Sequence, residues 1–317
     1  MRGLVSRVES KDYFLFDNNY EIIRCSLRGK FQKDFNLKRG KLFKLDIAMV
    51  GDFVEYELNQ DGTGVIKSIE ERKNYISRKA PRMKGASSRG ERLEQVIATN
   101  IDQNVIITSS DMPRFNNRTL DRFLVSAESS HITPLIVINK IDLTDSEEVE
   151  LWRELYSSIG YKVLLTSTVL NLGLEKLAEE IKGKKNLFWG NSGVGKSSIL
   201  NMLFPDLDLK TGEVSDYTSK GKHTTVTTVM HKMQEETFII DTPGIREIDP
   251  YGLTEEDLSH YFIEFQEYIH ECKYNRCTHN HEPGCAILEA LEKGNISIDR
   301  YESYLTILNT IEEDMNY

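Results

Sequence analysis

The sequence predicts a multidomain chain in three folded parts. These are an N-terminal OB-like β-barrel over 1–70, a central α/β P-loop domain over 95–248 and a C-terminal α-helical metal-binding domain over 249–317, with a basic linker over 71–94. Three observations carry this reading: short alternating strands before residue 70, strand–helix alternation from about residue 95, and a cysteine cluster near the C-terminus. At roughly 150 residues per domain, 317 residues suit two domains and a small third.

Composition narrows the classes further. Hydrophobic residues at 39% and charged residues at 28% are ordinary for a globular protein with a sizeable core. Forty Lys+Arg against 50 Asp+Glu give a net charge of −10, which argues against indiscriminate nucleic-acid binding and leaves local basic patches open. Four cysteines, Cys25, Cys272, Cys277 and Cys285, exclude a disulfide-rich secreted scaffold. No apolar run approaches the ~18 residues of a membrane span, and MRGLVSRVES lacks an apolar signal core. The expectation is a cytoplasmic, monomeric protein with no membrane partner.

In the first 70 residues, EIIRCSLRG, KLFKLDIAMVGDFVEYELN and GTGVIKSIEER alternate apolar and polar side chains between glycines, the pattern of a small barrel. The stretch from Arg28 to Lys44 holds seven basic residues and one acid, Asp34, which reads either as a phosphate-facing patch or as a solvated loop. Between Arg72 and Arg92 eight basic residues face one acid, Glu91, around the flexible KGASSRG. This reads as an arm that orders against RNA or as a soluble hinge; the charge shared with the barrel favours RNA.

Beyond residue 95, QNVIITSS, PLIVINK, YKVLLTST, KNLFWGNS and ETFIIDTPG are compact apolar runs suited to buried parallel strands. RTLDRFLVSAESS, EEVELWRELYSSIG and GLEKLAEEIKGK supply helical periods between them, giving a doubly wound α/β domain. TEEDLSHYFIEFQEYIHEC reads as one helix entering the cysteine cluster, and IDRYESYLTILNTIEEDMNY as a final helix.

The phosphate loop is the strongest motif. Gly190, Asn191, Ser192, Gly193, Val194, Gly195, Lys196 and Ser197 match GxxxxGK[ST] between an apolar run and the helical SSILNMLF that begins at Ser197 and Ser198. Glycines let backbone N–H groups curl around phosphate oxygens, and a helix N-terminus adds a favourable dipole. Lys196 is placed to reach the terminal phosphates and the Ser197 hydroxyl to ligate Mg²⁺. Asp241-Thr-Pro-Gly244 follows ETFII, setting a carboxylate for the Mg²⁺ shell and the Gly244 N–H for the γ-phosphate. Asn139-Lys140-Ile-Asp142 follows PLIVI. A carboxylate there accepts from the two adjacent N–H groups of the guanine edge, a pair that adenine lacks, so the wrong base leaves buried polar groups unpaired. Asn139 would brace the loop, Lys140 would cover the base, and Ser167 of Thr166-Ser-Thr168 would offer a backbone N–H to the guanine oxygen.

The order of these motifs is informative in itself. NKID precedes the phosphate loop by about 50 residues, whereas ordinary small GTPases place it after, so the elements run in circularly permuted order. With NKID, GNSGVGKSS and DTPG in this order between an OB-like barrel and a terminal cysteine cluster, the chain resembles the bacterial ribosome small subunit-dependent GTPase A family over nearly its whole length. The family's threonine-rich switch corresponds to Gly221-Lys-His223-Thr-Thr225, followed here by Val226 and then Thr227 and Thr228. The resemblance leaves these threonines as candidates for Mg²⁺, with Thr225 preferred. Ile245 stands where other GTPases carry a water-orienting glutamine, as in the permuted family, which implies slow intrinsic hydrolysis improved by a partner.

Cys272, Cys277, His279 and Cys285 lie within 14 residues, a Cys₃His set that suits a closed structural Zn²⁺ site with no vacancy for catalysis. The family resemblance assigns the same four ligands; His281 is the alternative fourth. Cys25 reads as barrel core, and His131 and His231 as surface or packing residues. The resemblance implies a GTPase that binds GTP and GDP with Mg²⁺ and acts on the small (30S) ribosomal subunit and its rRNA as a late assembly checkpoint, hydrolysis driving release. The same features fit a GTP-gated RNA-binding module in which hydrolysis is incidental.

Overall fold

The computed structural model of the chain describes residues 1–29, 47–79, 94–207, 209, 228–242 and 252–315. The switch residues 221–227, the DTPG residues from Pro243 to Ile245, the basic residues from Lys30 to Lys44 and those from Arg82 to Arg92 lie outside them.

Five strands close the N-terminal barrel: β1 (Arg2–Glu9), β2 (Asp12–Phe16), β3 (Ile22–Leu27), β4 (Phe53–Leu58) and β5 (Gly64–Ile69). Their order is β1-β2-β3-β5-β4, and β4 returns to β1 through Arg2–Glu55 and Leu4–Phe53 pairs. Alternate side chains point inward, so Val5, Leu15, Cys25, Val54, Tyr56 and Ile66 form the interior. The β1–β2 hairpin carries no sequence punctuation by glycine; Glu9 pairs with Asp12 across a two-residue turn in which Ser10 takes φ +54°.

Behind the barrel, β6 (Tyr75–Lys79) and β7 (Glu94–Thr99) form a two-stranded antiparallel ladder at the ends of the segment read as a linker. One of that segment's cations is committed internally: Arg72 makes a two-pronged ion pair with the fully buried Asp52, at 2.7 and 2.8 Å.

The α/β domain runs β8 (Gln103–Ser109), α1 (Asn117–Ser129), β9 (Thr133–Asn139), α2 (Ser146–Ile159), β10 (Lys162–Leu165), α3 (Leu174–Ile181), β11 (Lys185–Trp189), α4 (Lys196–Leu203), β12 (Val229–Lys232) and β13 (Phe238–Asp241). Strands β10-β9-β8-β11-β13 are parallel, and β12 is antiparallel to β13. Helices α1 and α2 cover one face, through Leu120, Phe123, Leu124, Val149 and Tyr156. Helices α3 and α4 cover the other, through Leu174, Leu177, Ile199 and Leu200. β12 then pairs with barrel strand β1 at Val229 and Arg7, joining sheet and barrel into one hydrogen-bonded surface.

The C-terminal part comprises α5 (Glu255–Leu258), three 3-10 turns (Ser259–Tyr261, Ile263–Phe265 and Ile269–Glu271), α6 (Ala286–Glu292) and α7 (Ile298–Met315). The single helix expected over 254–272 is therefore broken. Phe262 is extended, at φ −99° and ψ 96°, and Phe262 and Phe265 are both fully buried, while Glu264 reaches Arg300 of α7. Packing of two aromatic rings and a buried ion pair overrides a propensity that a run rich in Tyr and Phe supports only weakly.

Candidate functional site

All the sheet-borne motifs emerge at the carboxyl edge of the parallel strands, where open α/β sheets place their ligand crevice. The phosphate loop leaves β11 at Gly190 and enters α4 at Lys196. Gly190 has φ +149°, and a β-carbon there would lie 2.0 Å from the Ile107 carbonyl oxygen; no other residue fits that turn. Lys196 bends back over the loop and donates to the carbonyls of Gly190 and Asn191 at 2.6 and 2.9 Å.

Asn139 ends β9 and is fully buried. Its amide nitrogen donates to the Val194 carbonyl at 2.9 Å, and its amide oxygen accepts from the Thr166 hydroxyl at 3.0 Å. One side chain thus ties the NKID loop, the TST loop and the phosphate loop together. Gly195 makes room for it, since a β-carbon at that position would lie 2.3 Å from the same amide nitrogen. Lys140 takes a left-handed conformation, φ 60°, and its ammonium donates to the carbonyls of Gly193, at 2.6 Å, and Met112. The Ser167 hydroxyl donates to the Asp142 carboxylate and fixes its direction. Ser110 is a residue the sequence reading passed over. It holds the loop from below, its hydroxyl donating to the Lys140 carbonyl at 2.6 Å. Only the dipeptide SS at the end of an apolar run marked it.

Asp241 ends β13, directly across the ladder from Phe188 of β11, two residues before the phosphate loop. Burial pushes its carboxyl above the usual range, against the pull of Lys196 and His231. Burial likewise lowers the Lys196 ammonium, and Asp241 opposes it. His231 of β12, which the sequence suggested was a packing residue, lies on the Asp241 face of the sheet; burial lowers its imidazole and Asp241 partly restores it. A hydroxyl at the head of α4 beside a buried, under-compensated carboxylate is a hard oxygen set that suits Mg²⁺. Ser197 and Asp241 supply that set; Thr225 and Gly244 lie outside the described residues.

The sulfur atoms of Cys272, Cys277 and Cys285 and a ring nitrogen of His279 all lie within 4.8 Å of one another. His279 Nδ1 is 3.5 Å from the Cys272 sulfur and 3.4 Å from that of Cys285. With zinc–sulfur bonds of about 2.3 Å and zinc–nitrogen bonds of about 2.0 Å, a tetrahedral N···S edge is roughly 3.5 Å, so the cluster could hold a zinc ion. The backbone around it is pinned: the hydroxyls of Tyr301 and Tyr304 donate to the carbonyls of His279 and Thr278 at 2.8 and 2.7 Å. His281 is exposed and outside the cluster.

Comparison with known proteins agrees with this geometry. The RsgA GTPase family model matches residues 69–251. The small ribosomal subunit biogenesis GTPase RsgA of Phocaeicola vulgatus is 38% identical over 316 residues, covering 99% of this chain and 98% of its own. That of Chlorobaculum parvum is 39% identical over 317 residues, covering 99% of each. Among solved structures, YjeQ from Thermotoga maritima superposes with a TM-score of 0.78 at 32% identity over 98% of both chains. YloQ, a circularly permuted GTPase, gives 0.71 at 28% identity, over 98% of this chain and 95% of its own. Among the described residues, no helix is long and apolar enough to cross a membrane.

Proposed function

The chain belongs to the RsgA GTPase family, and on that premise we propose that it binds the small ribosomal subunit and its rRNA late in assembly, with GTP favouring binding and hydrolysis to GDP and phosphate favouring release. The observation that carries this is the Asn139 bridge. A base-selecting loop that comes 55 residues before Val194 in the chain is hydrogen-bonded to the phosphate loop, which makes one guanine-nucleotide site out of permuted parts.

Each residue then has a task. Asp142, aimed by Ser167, accepts from the guanine edge, and the Lys140 stem covers the base. The backbone N–H groups from Asn191 to Ser198 wrap the phosphates, with Ser192, Gly193, Val194 and Gly195 forming the curve. Lys196 exchanges its loop carbonyls for phosphate oxygens, which offsets the burial of its charge. Ser197 and Thr225 would hold Mg²⁺, backed by Asp241, and the ion would neutralise charge developing between the β- and γ-phosphates. Gly244 offers its N–H to the γ-phosphate. No glutamine orients the attacking water, so ordering of His223 to Thr225 on the subunit supplies the missing organisation. Cys272, Cys277, His279 and Cys285 would hold one structural Zn²⁺ that shapes the C-terminal part without chemistry of its own. The protein acts as a monomer in the cytoplasm.

The test is GTP hydrolysis with purified small subunits, with large subunits as the control. Small subunits should raise the rate by more than about tenfold, large subunits should not, and Lys196→Ala should abolish the response. A rate indifferent to small subunits, with GTP-dependent binding preserved, would reduce the protein to a gated binding module.

A further inference from the structure

Barrel and α/β sheet meet along a seam that the nucleotide chemistry does not use. Strands β1 and β12 pair at Arg7 and Val229, and a groove of about 440 Å³ opens between them, lined by Ser6, Arg7, Phe14, Tyr20, His231 and Lys232 among others. In a protein of net charge −10, no Asp or Glu is among its described lining residues. Its cations are laid on aromatic rings: the Arg7 guanidinium lies 4.1 Å over Phe14, and the Lys232 ammonium lies 4.1 Å over Tyr20. The nearest acids, Glu9 and Glu236, are each engaged, by Arg7 at 3.2 Å and by the Tyr20 hydroxyl at 3.0 Å. Exposed Ile22 adds an apolar wall. Cations for phosphates, with guanidinium and ring planes for bases, are the lining of a single-stranded nucleic-acid track.

The register gives this groove a line to the nucleotide site. Arg7 pairs with Val229, Val229 with Asp241, and Asp241 with Phe188, so all four stand in one row across the sheet. Opposed residues share a face, and at the ordinary strand spacing Arg7 is roughly 10 Å from Asp241. His231, two residues along β12 from Val229, lies on that same face. A strand whose one edge forms the groove and whose other edge holds Asp241 cannot shift for one ligand without the other registering it.

We propose that this seam groove binds single-stranded RNA and that its occupancy is coupled to the nucleotide bound beside Asp241. The inference rests on the ribosomal reading above and deepens it by naming the surface and its regulation. The experiment uses the full chain and a short fluorescein-labelled single-stranded RNA, titrated by anisotropy with GDP or a non-hydrolysable GTP analogue, over a series of salt concentrations. Affinity should differ between the two nucleotide states. Arg7→Gln with Lys232→Gln should weaken binding on the order of tenfold and reduce the salt slope by about 1.4, the value for two phosphate contacts on a single strand. Phe14→Leu should weaken binding without changing the slope. Lys67→Gln with Lys176→Gln, which removes equal charge from exposed positions elsewhere, should do neither.

RNA affinity and slope unchanged in the Arg7/Lys232 variant would overturn the assignment. So would a loss of small-subunit affinity with RNA binding intact, which would give the groove to a protein partner. Equal RNA affinity in both nucleotide states would overturn the coupling. A wild-type chain that ignores the RNA yet is stimulated by small subunits would sink the groove and leave the proposed function standing. Failure of that stimulation as well would sink both.

Discussion

Asn139 shows how much one side chain can organise. Both ends of its amide are used, on Val194 and on Thr166, in a site with no access to water. Asn139→Ala strips a partner from a buried carbonyl and a buried hydroxyl at once, at about 1–3 kcal/mol for each group left unpaired. The expected result is a stability loss of about 2–4 kcal/mol in urea denaturation. Loosening of both loops should also weaken fluorescent GDP binding by at least about tenfold, since the bound geometry is no longer organised beforehand. Stability and GDP affinity both within error of the wild type would show that the bridge is decorative. Gly190 stands at the same scale, for a steric rather than a polar reason: its missing β-carbon is what lets the phosphate loop pass the Ile107 carbonyl.

At the scale of elements, the cysteine cluster sits among short pieces that could not stand alone. α5 is four residues and α6 seven, and three isolated 3-10 turns link into Cys272. Such pieces have little cooperative helix energy of their own. The protein as purified should contain one zinc per chain, and Cys277→Ser or chelation should remove it and lower the melting temperature by ~10 °C. Metal analysis and calorimetry check this; zinc content and melting unchanged by the serine would end the structural assignment. The same contrast explains what was legible in the sequence. The phosphate loop, NKID and the Cys₃His set are local patterns whose chemistry needs fixed spacing, and the five parallel strands are apolar runs bounded by turns. β12 was not legible: VMHK is four residues with mixed character, and its place depends on β13 and on β1, more than 200 residues away. The broken helix over 254–272 was misread for a related reason. Leu258, Phe262 and Phe265 keep helical spacing, but the partners that bend the chain lie on α7.

Across the whole molecule, the C-terminal part is fastened to the guanine side of the site and the barrel to the γ-phosphate side. Helix α7 lies on α1, and Arg300, at 1% exposure, is the bolt. Its guanidinium pairs with Asp121 of α1 and, at 2.6 and 3.0 Å, with Glu264, while the Tyr156 hydroxyl donates to Asp121 at 2.7 Å. The group is buried among carboxylates that lie 179 and 36 residues away in sequence, so no local pattern announced it. Burial raises the Asp121 carboxyl and Arg300 opposes the shift, the mark of a charge that depends on its partner. Arg300→Met leaves two carboxylates without a counter-charge and should cost about 3–5 kcal/mol. Adding Asp121→Leu and Glu264→Leu should recover most of that loss, because an apolar replacement of the whole cluster strands nothing. Both tryptophans, Trp152 and Trp189, lie in the α/β domain. Urea melts of Arg300→Met should therefore show the far-ultraviolet signal lost ahead of tryptophan fluorescence, as the C-terminal part releases first. Coincident transitions with a loss under ~1 kcal/mol would mean that apolar packing of α7 on α1 holds the two parts together and that the ion cluster only sets their register.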